Sequence, residues 1–270
     1  MSAAKLLLIL PLIGILAYAS LVGLMYVSQR ALLYPGAGSA FAPAQAEWGE
    51  AVFIETPDGE TLHGLYSGGQ AGKPSVLFFP GNADWIGNYR FLADALAARG
   101  IGLLAISYRG YPGSTGSPSE DGLLIDAMAS FDWLSARSEG GIVVLGQSLG
   151  SGVAVDTAAQ RPAAGIILVS AYLSMLSVAQ THYPFLPVAL LIKGSFRSDL
   201  KIAQVKQPKL FIHGRRDEIV PLTSGEALYD LAPEPKRMLI HDTHAHNDLW
   251  NEGIVGEVID FAEGLVENGG

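Results

Sequence analysis

Residues 141–160 read GIVVLGQSLGSGVAVDTAAQ. An apolar run of strand length leads into Gly146-Gln147-Ser148-Leu149-Gly150, and a tail of helical character follows. The order strand, glycine-flanked serine, helix has a steric meaning. A sharp strand-to-helix turn holds the serine in a strained conformation and lifts its hydroxyl clear of a sheet, and side chains two positions to either side would collide. The same turn puts Ser148 at a helix N-terminus, where backbone N–H groups and the helix dipole favour developing negative charge. In a chain with 32 glycines the pattern by itself could arise by chance. Its placement between IVVL and VAVDTAAQ is what makes it informative.

Outward from this stretch the chain alternates strands and helices. AVFIET and TLHGLY, separated by Pro57-Asp58-Gly59-Glu60, read as a hairpin. SVLFFP at 75–80, GLLAISY at 102–108, IVVLG at 142, GIILVS at 165, KLFIHG at 209 and RMLIH at 237 are short apolar runs. Between them lie segments with apolar residues at helical spacing, such as Leu124, Ile125, Met128, Phe131 and Leu134. Strands apolar throughout and alternating with helices predict an α/β fold with a mostly parallel central sheet and helices on both faces.

The N-terminus is a different material. Residues 6–27 carry no charge, and 22 residues at about 1.5 Å each match a hydrocarbon core of roughly 30 Å. The expected organisation is a membrane anchor over 1–28, a Gly, Pro and Ala-rich connector over 29–49 and a catalytic domain over 50–270. Ala17-Tyr18-Ala19 also fits a signal-peptidase site, although the apolar run continues past it. Either reading exports the domain, so an extracytoplasmic location is expected, with flanking charge too balanced to fix orientation. The net charge of −9 sets nucleic acid aside as a partner, because phosphate binding relies on Lys and Arg. The absence of cysteine removes disulfides, thiol nucleophiles and thiolate metal sites.

A serine hydroxyl needs a base, and the base needs an orienting acid. On this architecture they follow in the order serine, acid, histidine, on loops after later strands. Asp217, just after KLFIHGRR, stands where the acid belongs, with Glu218 as its substitute. His241, His244 and His246 crowd the loop after RMLIH; His241 reads as the strand end, and spacing does not separate the other two. Two backbone N–H groups must hold an oxyanion: Leu149 supplies one, and Asn82, on the Gly81-Asn82-Ala83 loop after SVLFFP, is the expected second.

FPGNADWIGNY, YRGYPGSTGSPSEDG, LGQSLGSG, PKLFIHGRRDEIVP and HAHNDL resemble, in order, the corresponding blocks of membrane-anchored α/β-hydrolases of the abhydrolase-domain type, a group that includes acyl-protein thioesterases, lipid hydrolases and esterases. The resemblance covers roughly residues 28–264. It implies the α/β-hydrolase fold with a minimal cap, Ser148 as nucleophile, Asp217 as acid and, since the base directly precedes Asn-Asp, His246. Two departures stand out: Pro80-Gly81-Asn82 replaces the usual His-Gly-Asn, and His244-Ala245 stands where a glycine is usual.

The resulting expectation is a membrane-anchored serine hydrolase cleaving carboxylic ester or thioester bonds of a small acyl ester, a lipid or an acylated protein, with no cofactor and no metal. A peptidase or acyltransferase shares this chemistry, and a noncatalytic tethered binding protein is the reading from another class. His241, Asp242, His244, His246 and Asp248 are zinc-competent residue types, but neighbouring loop residues without a helix to space them rarely converge on one ion. YRGYPGSTGSPSE is expected to be a structural and rim-forming loop stabilised by Tyr108 and Arg109, with direct contact to substrate as the alternative. HYPFLPVALLI is apolar enough to bury as a short helix, the favoured reading, or to line an acyl pocket.

Overall fold

The chain, in a computed structural model that describes residues 3–39 and 48–267, begins with a long helix, α1 (Ala3–Leu33), followed by strands β1 (Glu50–Glu55), β2 (Thr61–Ser67) and β3 (Ser75–Phe79). Helix α2 (Arg90–Ala97), strand β4 (Gly102–Ile106), helix α3 (Glu120–Ser135) and strand β5 (Ile142–Gln147) come next. After helix α4 (Leu149–Gln160) and strand β6 (Gly165–Val169) lie three short helices, α5 (Met175–His182), α6 (Val188–Leu191) and α7 (Ser198–Lys201). Strand β7 (Lys209–Gly214), helix α8 (Leu222–Leu231), strand β8 (Lys236–His241) and helix α9 (Glu252–Glu267) complete the domain.

The eight strands form one sheet in the order β1-β2-β4-β3-β5-β6-β7-β8. The expected hairpin is β1 against β2; β2 also pairs antiparallel with β4, and every other pairing is parallel. Period-two alternation divides the apolar runs between the two faces. Val76 and Phe78 of β3 pack with Leu92, Leu96 and Val258 on the side of α2 and α9. Leu77 and Phe79 pack with Leu123 and Val153 on the side of α3 and α4. Burying one such side chain contributes about 1.5–3 kcal/mol. The strand order reverses between β3, which leads to β4 on one side, and β5 on the other. The crevice at the C-terminal ends of β3 and β5 is where open sheets of this kind place their ligands.

Two expectations need correction. The helix does not stop at 28: Gln29, Arg30, Ala31, Leu32 and Leu33 continue it, because they form helix well and Leu33 packs against the core. Pro35 disfavours helix at Tyr34, which is itself buried. The expected connector therefore begins helical and docked; residues 40–47 of it lie outside the described residues. HYPFLPVALLI does not enter the core either. Val188 is buried, but Phe185 and Leu190 are exposed, and the segment lies beside α1, whose Tyr18 hydroxyl donates to the Phe185 carbonyl at 2.9 Å. The α5–α7 connection has too little chain to wrap a core of its own, and the apolar flank of α1 is the partner it finds.

The loop after β4 is structural, as expected. Arg109 is buried and donates through Nε to Asp126 Oδ1 at 2.8 Å and through Nη1 to Asp58 Oδ2 at 2.7 Å, while its backbone N–H donates to Asp126 Oδ2 at 2.9 Å. Burial pushes the Asp126 carboxyl up, and the Arg109 contacts oppose that shift. Removing one partner of a buried ion pair leaves the other charge uncompensated. Arg109→Met should cost about 3–5 kcal/mol of stability, read as a lowered urea midpoint for the full chain in detergent. An unchanged midpoint would contradict this account.

Candidate active site

Ser148 joins β5 to α4 with φ 51 and ψ −118, a conformation that costs a non-glycine residue on the order of 1–3 kcal/mol. Its neighbours hold it there. The Ser148 N–H donates to the Val169 carbonyl at 2.9 Å, and the Ser148 carbonyl accepts from the Ser151 N–H at 2.9 Å and the Ser151 hydroxyl at 2.7 Å. The flanking glycines are required by close approach. A Cβ at Gly146 would come within 2.6 Å of Ala154 Cβ, and one at Gly150 would be driven into the Phe79 carbonyl.

The turns after β7 and β8 bring the two remaining groups to this serine. His246 Nε2 lies 3.0 Å from Ser148 Oγ, and His246 Nδ1 lies 2.7 Å from Asp217 Oδ2. Asp217 Oδ1 accepts from the N–H groups of Ile219 at 3.0 Å and Val220 at 2.7 Å. Burial alone would raise the Asp217 carboxyl, but the hydrogen bond and charge interaction with His246, together with the Val220 N–H, hold it below its ordinary value. An ionised carboxylate only accepts, so the proton between the two residues resides on His246 Nδ1. That leaves the Nε2 lone pair facing the Ser148 hydroxyl. Ser148, Asp217 and His246 are 9%, 6% and 8% exposed, so this chain of hydrogen bonds is largely withdrawn from water while keeping an opening at the serine.

The other histidines are elsewhere. His241 ends β8 and packs edge-on against His244, whose Nε2 accepts from Asn251 Nδ2 at 3.2 Å. Among the described residues no three His, Cys, Asp or Glu side chains form a group able to hold a metal ion. Asp242 is paired with Arg215, and Asp248 accepts from the Ala245 N–H at 2.6 Å, which braces the turn carrying His246. Glu218 points to solvent beside the buried Asp217.

Leu149, as the first residue of α4, has an N–H without an intrahelical acceptor. Across the crevice, the loop after β3 is held by Asp84, whose Oδ2 accepts from the Gly81 N–H at 3.0 Å; an added Cβ at Gly81 would lie 3.8 Å from Ser148 Cβ. The Asn82 N–H makes no hydrogen bond to any described residue. Several supporting groups gave no sequence signal. Gln147 Oε1 accepts from Tyr89 Oη and Trp250 Nε1, both at 2.8 Å, tying the strand-to-helix turn of Ser148 to the loops on either side. Buried His213 donates through Nε2 to the Val220 carbonyl at 2.9 Å and so steadies the turn whose N–H groups hold Asp217. Gln147 occupies a position that the GxSxG pattern leaves unspecified, and Trp250 stands far away in sequence, so only tertiary contact joins them.

Residues 70–203 match the family described as "Serine aminopeptidase, S33"; that segment contains Ser148 and ends before Asp217 and His246. The chain is 41% identical over 254 residues to the uncharacterised protein Rv2307c of Mycobacterium tuberculosis, with 88% of each covered. It is 31% identical over 273 residues to the alpha/beta hydrolase domain-containing protein WAV2 of Arabidopsis thaliana, covering 88% of this chain and 86% of that one. Among solved structures, the Pyrococcus furiosus esterase Pf2001 superposes with a TM-score of 0.67 at 20% identity, over 80% of this chain and 90% of that one, a likeness of fold.

The lowered Asp217 carboxyl has a thermodynamic consequence. A group whose native pKa lies below its unfolded value adds stability above the unfolded value, and that contribution disappears as the pH falls through the native one. The stability difference between the wild type and Asp217→Asn should therefore be steady above about pH 4–5 and narrow on further acidification. Urea titrations across that range check it, and a gap that widens on acidification would refute it.

Proposed function

Because this chain belongs to the α/β-hydrolase family and is a hydrolase by fold and relatives, we propose that it is a serine hydrolase cleaving carboxylic ester or thioester bonds, held at a membrane by its N-terminal helix. The observation that carries the reading is the unbroken hydrogen-bonded series Ser148 Oγ, His246, Asp217 at a strained strand-to-helix turn. His246 Nε2 takes the Ser148 proton as Oγ attacks the acyl carbon, and Asp217 orients the ring and stabilises the imidazolium that forms. The N–H groups of Leu149 and Asn82 receive the oxyanion. Collapse of the tetrahedral species expels the alcohol or thiol, protonated by His246, and leaves an acyl-Ser148. Water deprotonated by the same imidazole then releases the acid and restores the serine.

Two features favour an acyl substrate of low polarity near a bilayer. Helix α1 contains a stretch, Ile9–Leu33, long and apolar enough to cross a membrane, with mean hydropathy 2.0. Met25, Leu32 and Leu33 of α1 face Tyr183, Leu186 and Leu191 across an apolar cleft. A tethered domain with such a cleft would take substrate from the membrane surface. The serine aminopeptidase description of the matched family supplies a second reading, hydrolysis of an N-terminal aminoacyl amide by the same groups.

Intact-mass measurement of the full chain in detergent with a fluorophosphonate tests the mechanism. One adduct is expected, abolished by Ser148→Ala and strongly slowed by His246→Ala, with ester kcat/KM falling by about 10⁴-fold or more in either variant. A folded wild type that takes no label would defeat the catalytic reading in favour of a tethered binding protein. Turnover of p-nitrophenyl or thioester substrates in preference to aminoacyl anilides would decide between the two substrate readings. The membrane part of the proposal predicts that the protein resists alkaline extraction from membranes. It also predicts that the hydrolase domain is reached by impermeant protease from the outer side; a domain digested only after lysis would reverse the orientation.

A further inference from the structure

The apolar helix ends against the loop that carries the proposed second oxyanion donor. The Leu33 carbonyl, in the last turn of α1, accepts from Asn82 Nδ2 at 3.2 Å. Three residues on, the Gly36 N–H donates to the Asn82 carbonyl at 3.1 Å, and the Tyr111 hydroxyl donates to the same oxygen at 2.7 Å. The segment is itself pinned. Tyr34 is buried in the core, the Gly38 N–H donates to the Gly110 carbonyl at 2.9 Å, and the Tyr108 hydroxyl donates to the Pro80 carbonyl at 2.9 Å on the other side of the loop. Asn82 is therefore gripped by its side-chain amide and by its carbonyl. Its N–H makes no hydrogen bond to any described residue and is left available to a ligand.

A residue held at both of those points has little freedom to turn its N–H. We infer that Leu33–Gly36, the end of the N-terminal helix and the turn after it, is a positioning element of the active centre that aims the Asn82 N–H, so that turnover depends on the chain's own N-terminal helix being seated. The inference rests on the serine hydrolase reading above. It gives the helix a role beyond tethering: a change in how α1 sits reaches the oxyanion loop through two hydrogen bonds. The physical leverage is large because oxyanion donors act only within a few tenths of an ångström of the right place, and loss of one lowers kcat by about 10²–10³-fold.

Gly36 is the sensitive point. A Cβ there would lie 2.6 Å from Tyr111 Cε1 and 3.0 Å from the Asn82 carbonyl oxygen, so one of the two must give way. Gly36→Ala, Tyr111→Phe and, as a control elsewhere on α1, Tyr18→Phe are compared with the wild type in the full chain in detergent. Active sites are counted by fluorophosphonate titration, and kcat, KM and the inhibition constant of a trifluoromethyl ketone are measured with a p-nitrophenyl ester. The expected result is a kcat per titrated site lowered about 10–100-fold in Gly36→Ala and less in Tyr111→Phe. KM should stay within about 3-fold, and ketone affinity should fall in step with kcat/KM, because both read the oxyanion site. Tyr18→Phe should match the wild type. A merely structural role would lower the titrated fraction and leave kcat per site and ketone affinity at wild-type values, and that result would overturn the inference. Wild-type protein that takes no fluorophosphonate would overturn the serine hydrolase reading and this inference with it; a labelled, active wild type with unaffected variants would overturn this inference alone.

Discussion

The contact on which the site depends is the approach of the first turn of α4 to the end of β3, where Gly150 leaves no room for a side chain against the Phe79 carbonyl. That approach brings the helix N-terminus carrying Leu149 and the loop carrying Asn82 to the same crevice. It is possible because β3 and β5 are neighbouring parallel strands with both ends in register, Ser75 opposite Ile142 and Phe79 opposite Gly146. A sheet buried on both faces supplies the force that holds this geometry. Removing apolar surface from water contributes about 25 cal/mol per Å², enough in aggregate to absorb the strain of one serine in a sparsely populated backbone region.

Around that contact the polar groups solve a desolvation problem. A carboxylate, an imidazole and a hydroxyl that are nine-tenths buried would be unfavourable without partners. Asp217 finds three donors, His246 Nδ1 and the N–H groups of Ile219 and Val220, and these outweigh the cost of burying its charge. The bracing continues outward. The Arg216 N–H donates to the His244 carbonyl at 3.0 Å, linking the turn of Asp217 to the turn of His246, and a Cβ at Gly214 would collide with the His244 backbone. Gly214, on the neighbouring strand end, thus leaves the room that the His244-Ala245 backbone occupies.

The loop after β3 is likewise braced from outside. The Pro80 carbonyl accepts from the Tyr108 hydroxyl, while Asp84 holds the Gly81 N–H. The loop thus takes its shape from its neighbours rather than from a side chain at position 80. On its outer side the neighbours belong to the N-terminal helix and the turn after it, so the boundary between that helix and the sheet domain is a structural seam made of hydrogen bonds and the buried Tyr34 ring.

The sequence by itself determined the α/β architecture, since apolar runs alternating with helical periodicity have few ways to bury both faces of a sheet. It also singled out Ser148, because a glycine-flanked serine between strand and helix suits that turn, and it narrowed the side chains that meet it to short loops after β7 and β8. Periodicity could not choose between His244 and His246. They are two residues apart on an irregular turn, so which ring meets Ser148 is a matter of loop geometry, and in the structure it is His246. The helix boundary at Leu33, the placement of 182–192 beside α1 and the grip on Asn82 were also decided only by tertiary structure. Hydropathy reports how an element partitions from water, whereas these features arise from which surfaces meet, and residues such as Leu33 and Asn82, 49 positions apart, have no local pattern that records their contact.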